Sequence, residues 1–112
     1  MAPSVQLLLW SGCPSHDRAR AQLREVMDDL GLDPDSVVER AVESEAEAQE
    51  LGFIGSPTVL VDGRDAVDPG GRPAALTCRL YRRRDGSASP LPDTEDLREA
   101  LSRATDEQGE RS

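Results

Sequence analysis

Two segments carry the residues that could do chemistry. Trp10-Ser11-Gly12-Cys13-Pro14-Ser15-His16 hands an apolar run over to a helical pattern that opens on a cysteine. Gly55-Ser56-Pro57-Thr58-Val59-Leu60-Val61 sets a proline directly before a short β-branched strand. A cysteine at a helix N-terminus has its thiolate stabilised by unpaired backbone N–H groups and by the helix dipole. Cys13 is therefore the candidate nucleophile toward a disulfide, a persulfide or another electrophile. The bland alternative is a small residue packed beneath its loop. His16 follows three residues later, one turn along the same helix face. As an imidazolium it could hold the Cys13 thiolate, or it could act as general acid for a departing thiol. It reads equally well as a solvent-facing histidine without a role. A lone Cys-x-x-His could touch a soft metal but lacks the four ligands of a structural zinc site.

Pro57, with Ser56 before it, would present backbone donors and acceptors to an extended ligand laid beside Cys13, a form of strand addition. The plain reading is a strand-opening proline, tolerated because its missing N–H falls at the first position. Trp10, Pro14, Ser15 and Thr58 complete the candidate substrate-binding set, with Trp10 as core or pocket wall.

Cys78 is the candidate second thiol, and its expected position argues against partnership. On a fourth strand antiparallel to the third, Cys78 starts at the sheet end away from Cys13. The run from there to Arg84 covers about 20 Å at roughly 3.3 Å per residue, whereas a disulfide needs Cα atoms within about 7 Å. The expectation is a buried structural cysteine, unless the long loop before it carries the chain back across the sheet.

The elements that must position these residues follow from pattern. Val5 to Trp10 is continuously apolar and reads as a strand buried on both faces. Pro14 fits the first helical position, which makes Cys13 the N-cap. Ala19, Leu23, Val26, Met27 and Leu30 form the buried stripe of that helix, and Gly31 ends it. Val37 to Val42 is a second strand. Ser44 with Glu47 is a capping box that opens a short helix through Leu51, closed by Gly52. Thr58 to Val61 is the third strand, ended by the turn signal Asp62-Gly63. Residues 64–75 read as a loop and 76–83 as a fourth strand, followed by a turn at Asp85-Gly86. A last helix runs from about Glu95 to Ala104, capped by Asp93 or Thr94. Residues 105–112 are polar and expected to be frayed. The order β-α-β-α-β-β-α calls for a central four-stranded mixed sheet flanked by helices, in one α/β domain over residues 1–104.

The chain of 112 residues can bury one modest core. Aromatics make up only 3% of it, so aliphatic residues must fill the interior. A formal charge of −9 disfavours nucleic acid and anionic membranes as partners, because both are bound through basic surface. All basic residues are arginine, which reads as GC-rich codon usage. The one basic cluster, Arg82-Arg83-Arg84, is short and reads as a solvated strand end. The longest apolar run is too short for a signal peptide or a membrane span. A cytoplasmic location with free thiols is the expectation.

With Cys13-Pro14-Ser15-His16 at the first β–α junction, Pro57 before the third strand and this element order, the sequence resembles the thioredoxin superfamily in its minimal, glutaredoxin-like form. The resemblance covers about Val5 to Ala104. Gly52-Phe53-Ile54-Gly55-Ser56-Pro57-Thr58 and Cys78-Arg79-Leu80-Tyr81-Arg82 are similar to stretches of small, mostly uncharacterised thioredoxin-family proteins of high-GC bacteria, some of them called alkylmercury lyases. The resemblance implies a thioredoxin-like fold, and a cis-proline facing the active-site sulfur. It also implies thiol exchange with protein or small-molecule disulfides. The family has Cys-Pro-x-Cys where this chain has His16 in the last place, so the family's usual resolving cysteine is missing. Arg84-Asp85-Gly86 is a poor counterpart of the Gly-Gly-x-x-Asp segment with which glutaredoxins hold glutathione.

Three functions compete on this basis. The first is a monothiol oxidoreductase working through Cys13, with no bound cofactor and an external low-molecular-weight thiol as reductant. The second is a non-catalytic thioredoxin-fold binding module whose partner would be basic. The third is thiophilic metal or organomercurial handling by Cys13, His16 and Cys78, which are soft or borderline ligands.

Overall fold

The computed structural model describes residues 3–110, with side chains described through residue 106. Strand β1, Val5–Leu9, lies inside the sheet, and its side chains divide between two cores. Val5, Leu7 and Leu9 join a cluster built from Leu23, Val26 and Met27 of helix α1 (His16–Asp29) and Leu97, Leu101 and Ala104 of helix α3 (Thr94–Glu110). Leu8 points the other way, onto Val42, Phe53 and Ala48 of helix α2 (Glu45–Leu51). A strand buried on both faces needs apolar residues at successive positions, as this one has.

β1 pairs in parallel with β2 (Val38–Ala41) and antiparallel with β3 (Thr58–Val61). β3 pairs antiparallel with β4 (Arg64–Asp65), giving a four-stranded mixed sheet in the order β2-β1-β3-β4. β2 is an edge strand, and all of its residues are exposed. Three α-helices flank the sheet among the described residues.

Several caps match the sequence pattern. Ser44 Oγ accepts the Glu47 N–H at 3.1 Å, and Gly52 closes α2 at φ 66°. Asp93 Oδ1 accepts the Glu95 N–H at 2.9 Å at the head of α3. That helix continues through Glu110, so residues 105–110, expected to fray, are helical. Residues 111 and 112 lie outside the described range.

Two expectations are corrected. α1 starts at His16 with Ser15 as its N-cap, so Cys13 is not the cap. The chain first makes a turn in which the Cys13 N–H donates to the Trp10 carbonyl at 3.0 Å. The fourth sheet strand is Arg64–Asp65 and not residues 76–83. Asp62 and Gly63 both take positive φ, 51° and 81°, in a two-residue hairpin loop between the paired Val61 and Arg64. Such a loop returns the chain at once beside the strand it left. With that edge filled, the expected strand is reduced to an isolated bridge at Cys78 and to Tyr81–Arg82 (β5), whose partner is Ala88–Ser89 (β6) in a separate hairpin.

Among the described residues, no helix is long and apolar enough to cross a membrane.

Candidate functional site: a pair of thiols

After β4 the chain runs back along the sheet. The Ala75 N–H donates to Phe53 O at 2.9 Å, and Thr77–Arg79 then lies parallel to Ser56. The Ser56 N–H donates to Thr77 O and the Arg79 N–H donates to Ser56 O, each at 2.8 Å. Cys78, between those two bonds, is thereby brought to Ser56, whose carbonyl oxygen lies 3.5 Å from Cys13 Sγ. The expected separation of the two cysteines does not hold. It rested on a strand antiparallel to β3, and that place belongs to β4.

Gly55 permits this approach. It has φ +145°, and a Cβ there would lie 2.8 Å from the Arg79 N, Cα and Cβ. The Ser56–Pro57 peptide bond is cis. Arg79 locks the segment from beneath. Its guanidinium is fully buried and donates to Asp65 Oδ2 at 2.8 Å, Thr58 Oγ1 at 3.1 Å and Val67 O at 3.0 Å. It also lies 4.4 Å from the centre of the Tyr81 ring, a cation–π contact. Tyr81 in turn donates its hydroxyl to Pro57 O. Gly55, Arg79 and Tyr81 thus hold the site together without being evident as site residues in the sequence. The available signals were a glycine just ahead of Ser56-Pro57 and an arginine at an inward position of an alternating run.

Cys13 is buried and Cys78 is exposed, and both are free thiols. Burial pushes the Cys13 pKa up. Hydrogen bonding from Cys78, from the backbone and side chain of Ser15 and from the side chain of Ser56 outweighs it, holding Cys13 below the ordinary thiol range. Ser56 Oγ accepts the Trp10 N–H at 3.0 Å, which leaves its own hydroxyl proton free to point at sulfur. In the neutral form Cys13 Sγ–H has a weak alternative, Ser56 O at 3.5 Å. Cys78 is shifted the opposite way. Its hydrogen bond to Cys13, then burial, then the charge of the Cys13 thiolate all raise its pKa. The contact thus lowers the pKa of one thiol and raises that of the other.

The other expected site residues are distributed unevenly. His16 commits its ring to the Trp10 carbonyl at 2.6 Å. A carbonyl only accepts, so Nε2 carries the proton in that bond. The Trp10 ring covers Gly12, where a Cβ would meet it at 2.5 Å, and packs against the α2-side core. Ser11 anchors the loop by donating from its hydroxyl to Glu43 Oε2 at 2.8 Å. Of the expected substrate-binding residues, Ser15, Ser56, Pro57 and Thr58 are buried, Trp10 is half-buried and Pro14 is exposed. The strand-addition surface expected at Ser56 is occupied by the chain's own Thr77–Arg79, because both backbone groups of Ser56 already bond to it.

Among the described residues, no group of three or more His, Cys, Asp or Glu side chains gathers as a metal site. Comparison with known proteins gives no match to any family model, curated protein or solved structure.

Proposed function

We propose that the protein is a thiol–disulfide oxidoreductase of thioredoxin-like type, in which Cys13 and Cys78 cycle between dithiol and disulfide. The observation that carries this reading is the convergence of two free thiols on Ser56, which pairs with Cys78 and whose carbonyl lies 3.5 Å from Cys13 Sγ; their proton affinities are pushed apart there. Such a division is what exchange chemistry needs, because the lower-pKa sulfur is the better leaving group and the more ionised one. In the oxidising direction the Cys13–Cys78 disulfide takes two electrons from two external thiols. Those thiols leave as one disulfide, and their two protons are shared between the protein sulfurs and solvent. In the reducing direction the same steps run backward. The reading replaces the missing Cys-x-x-Cys partner with a cysteine distant in sequence. Cys13 is the thiolate of the reduced pair, and an external low-molecular-weight thiol supplies the electrons.

Equilibration in glutathione redox buffers, acid quenching and non-reducing peptide mapping test it. The expected result is one intramolecular Cys13–Cys78 disulfide whose fraction follows the buffer potential. Persistent free thiols across all buffers, or only intermolecular species, would overturn the reading.

The same juxtaposition favours one second reading, capture of a soft, thiophilic cation between two thiolates. It expects one equivalent of mercuric ion to protect both cysteines from alkylation together, with no redox cycle needed.

A further inference from the structure

Exposure divides the pair unequally. Cys13 is 3% exposed and flanked by Ser15 and Ser56, at 2% and 0%. Burial alternates from Cys78 to Arg82, with Arg79 and Tyr81 inward and Cys78, Leu80 and Arg82 outward. We propose, resting on the oxidoreductase reading, that Cys78 is the sulfur external thiols attack: the mixed disulfide of the cycle forms on Cys78, and Cys13 is the leaving group.

A thiolate displaces sulfur from sulfur along the S–S axis, approaching from the side opposite the leaving atom. Attack on Cys78 comes from outside, because its disulfide partner lies inward. Attack on Cys13 would have to come along the extension of the axis past a buried sulfur, into the fold. The steps balance. An external thiolate forms a bond to Cys78 Sγ as the Cys13–Cys78 bond breaks, and the electron pair stays on Cys13 Sγ as a thiolate. A second external thiolate then attacks the external sulfur of the mixed disulfide. It releases the external disulfide and a Cys78 thiolate, which takes a proton. The hydrogen bonds gathered at Cys13 favour that departure, since a stabilised thiolate leaves faster. The order of roles in the chain is thus the later, exposed cysteine as contact point and the earlier, buried one as electron store.

Glutathione is the probe that tests this assignment. The oxidised wild-type protein is pulsed with limiting reduced glutathione, quenched in acid, alkylated and mapped. The adduct is expected on Cys78 and the alkyl group on Cys13. Cys13→Ser should form a stable adduct at Cys78 with glutathione disulfide. Cys78→Ser should resist adduct formation while folded, by on the order of tenfold or more relative to the denatured chain, because access limits exchange. An adduct predominantly on Cys13 of the wild-type protein would overturn the assignment while leaving the oxidoreductase reading intact. Absence of any Cys13–Cys78 disulfide in the starting sample would overturn both.

Discussion

Cys13 was legible as a candidate nucleophile from its position after an apolar strand, but the reason for its activation was not. The expected source was the N-cap position, and the structure gives that place to Ser15. Activation comes instead from side-chain and backbone donors, with Cys78 the foremost of them. Such a contribution depends on tertiary approach, which residue spacing does not encode. The shift has a consequence for stability. Below the folded pKa of Cys13 both states hold the proton and nothing is gained. As pH rises from there toward the unfolded value, the folded state increasingly favours the thiolate and gains stability. Cys78 acts oppositely above the unfolded value, because its raised folded pKa costs stability there. Denaturant titrations of the reduced protein and of Cys13→Ser should therefore diverge as pH rises toward the ordinary thiol pKa and converge again above it. A difference independent of pH would contradict the proton division between the sulfurs.

At the scale of elements, the sheet was largely readable because its strands and helices carry strong periodicity and caps. The failure came at one edge. Asp62-Gly63 was evident as a turn, but its two positive φ values make it a hairpin loop, and that moved the fourth strand to Arg64–Asp65. Residues 76–83 alternate as a strand would, yet Thr77–Arg79 uses that form to bridge Ser56 rather than to extend the sheet edge. Two substitutions probe this bridge. Gly55→Ala places a Cβ 2.8 Å from the Arg79 backbone at a φ that L-residues resist. It should slow Cys13–Cys78 disulfide formation by on the order of 10–100-fold through misplacement of about an ångström, read by quenched-flow oxidation. Unchanged closure kinetics would show that the segment docks without the glycine. Arg79→Ala leaves Asp65 and the Val67 carbonyl without their buried donor. It should cost about 3–5 kcal/mol in urea unfolding. Arg79→Lys should recover little, lacking the planar fork that reaches three acceptors. A loss under about 1 kcal/mol, the scale of an exposed pair, would contradict the locking role.

Over the whole molecule, charge is the property the sequence carries most directly. The net −9 is spread over a small fold whose only cysteine on solvent is Cys78. Acidic residues lie on the segments that flank the pair. Glu43 holds the Ser11 loop, and Glu45 accepts the Leu76 N–H at 3.4 Å. A net negative charge raises the local concentration of cations and repels anions. A cationic thiol such as cysteamine should reduce the oxidised protein faster than an anionic thiol such as mercaptoethanesulfonate at matched thiolate concentration. The ratio should fall as ionic strength approaches 1 M, where the Debye length is about 3 Å. Equal rates at low salt would mean that the net charge does not act at Cys78. The central claim, that Cys78 keeps its proton so that Cys13 can lose one, has a direct readout in thiolate absorbance near 240 nm. In the reduced wild-type protein one thiolate should form below the ordinary thiol range, and Cys78→Ser should move that step upward. Two steps at ordinary thiol values, or a low step unmoved by Cys78→Ser, would contradict it.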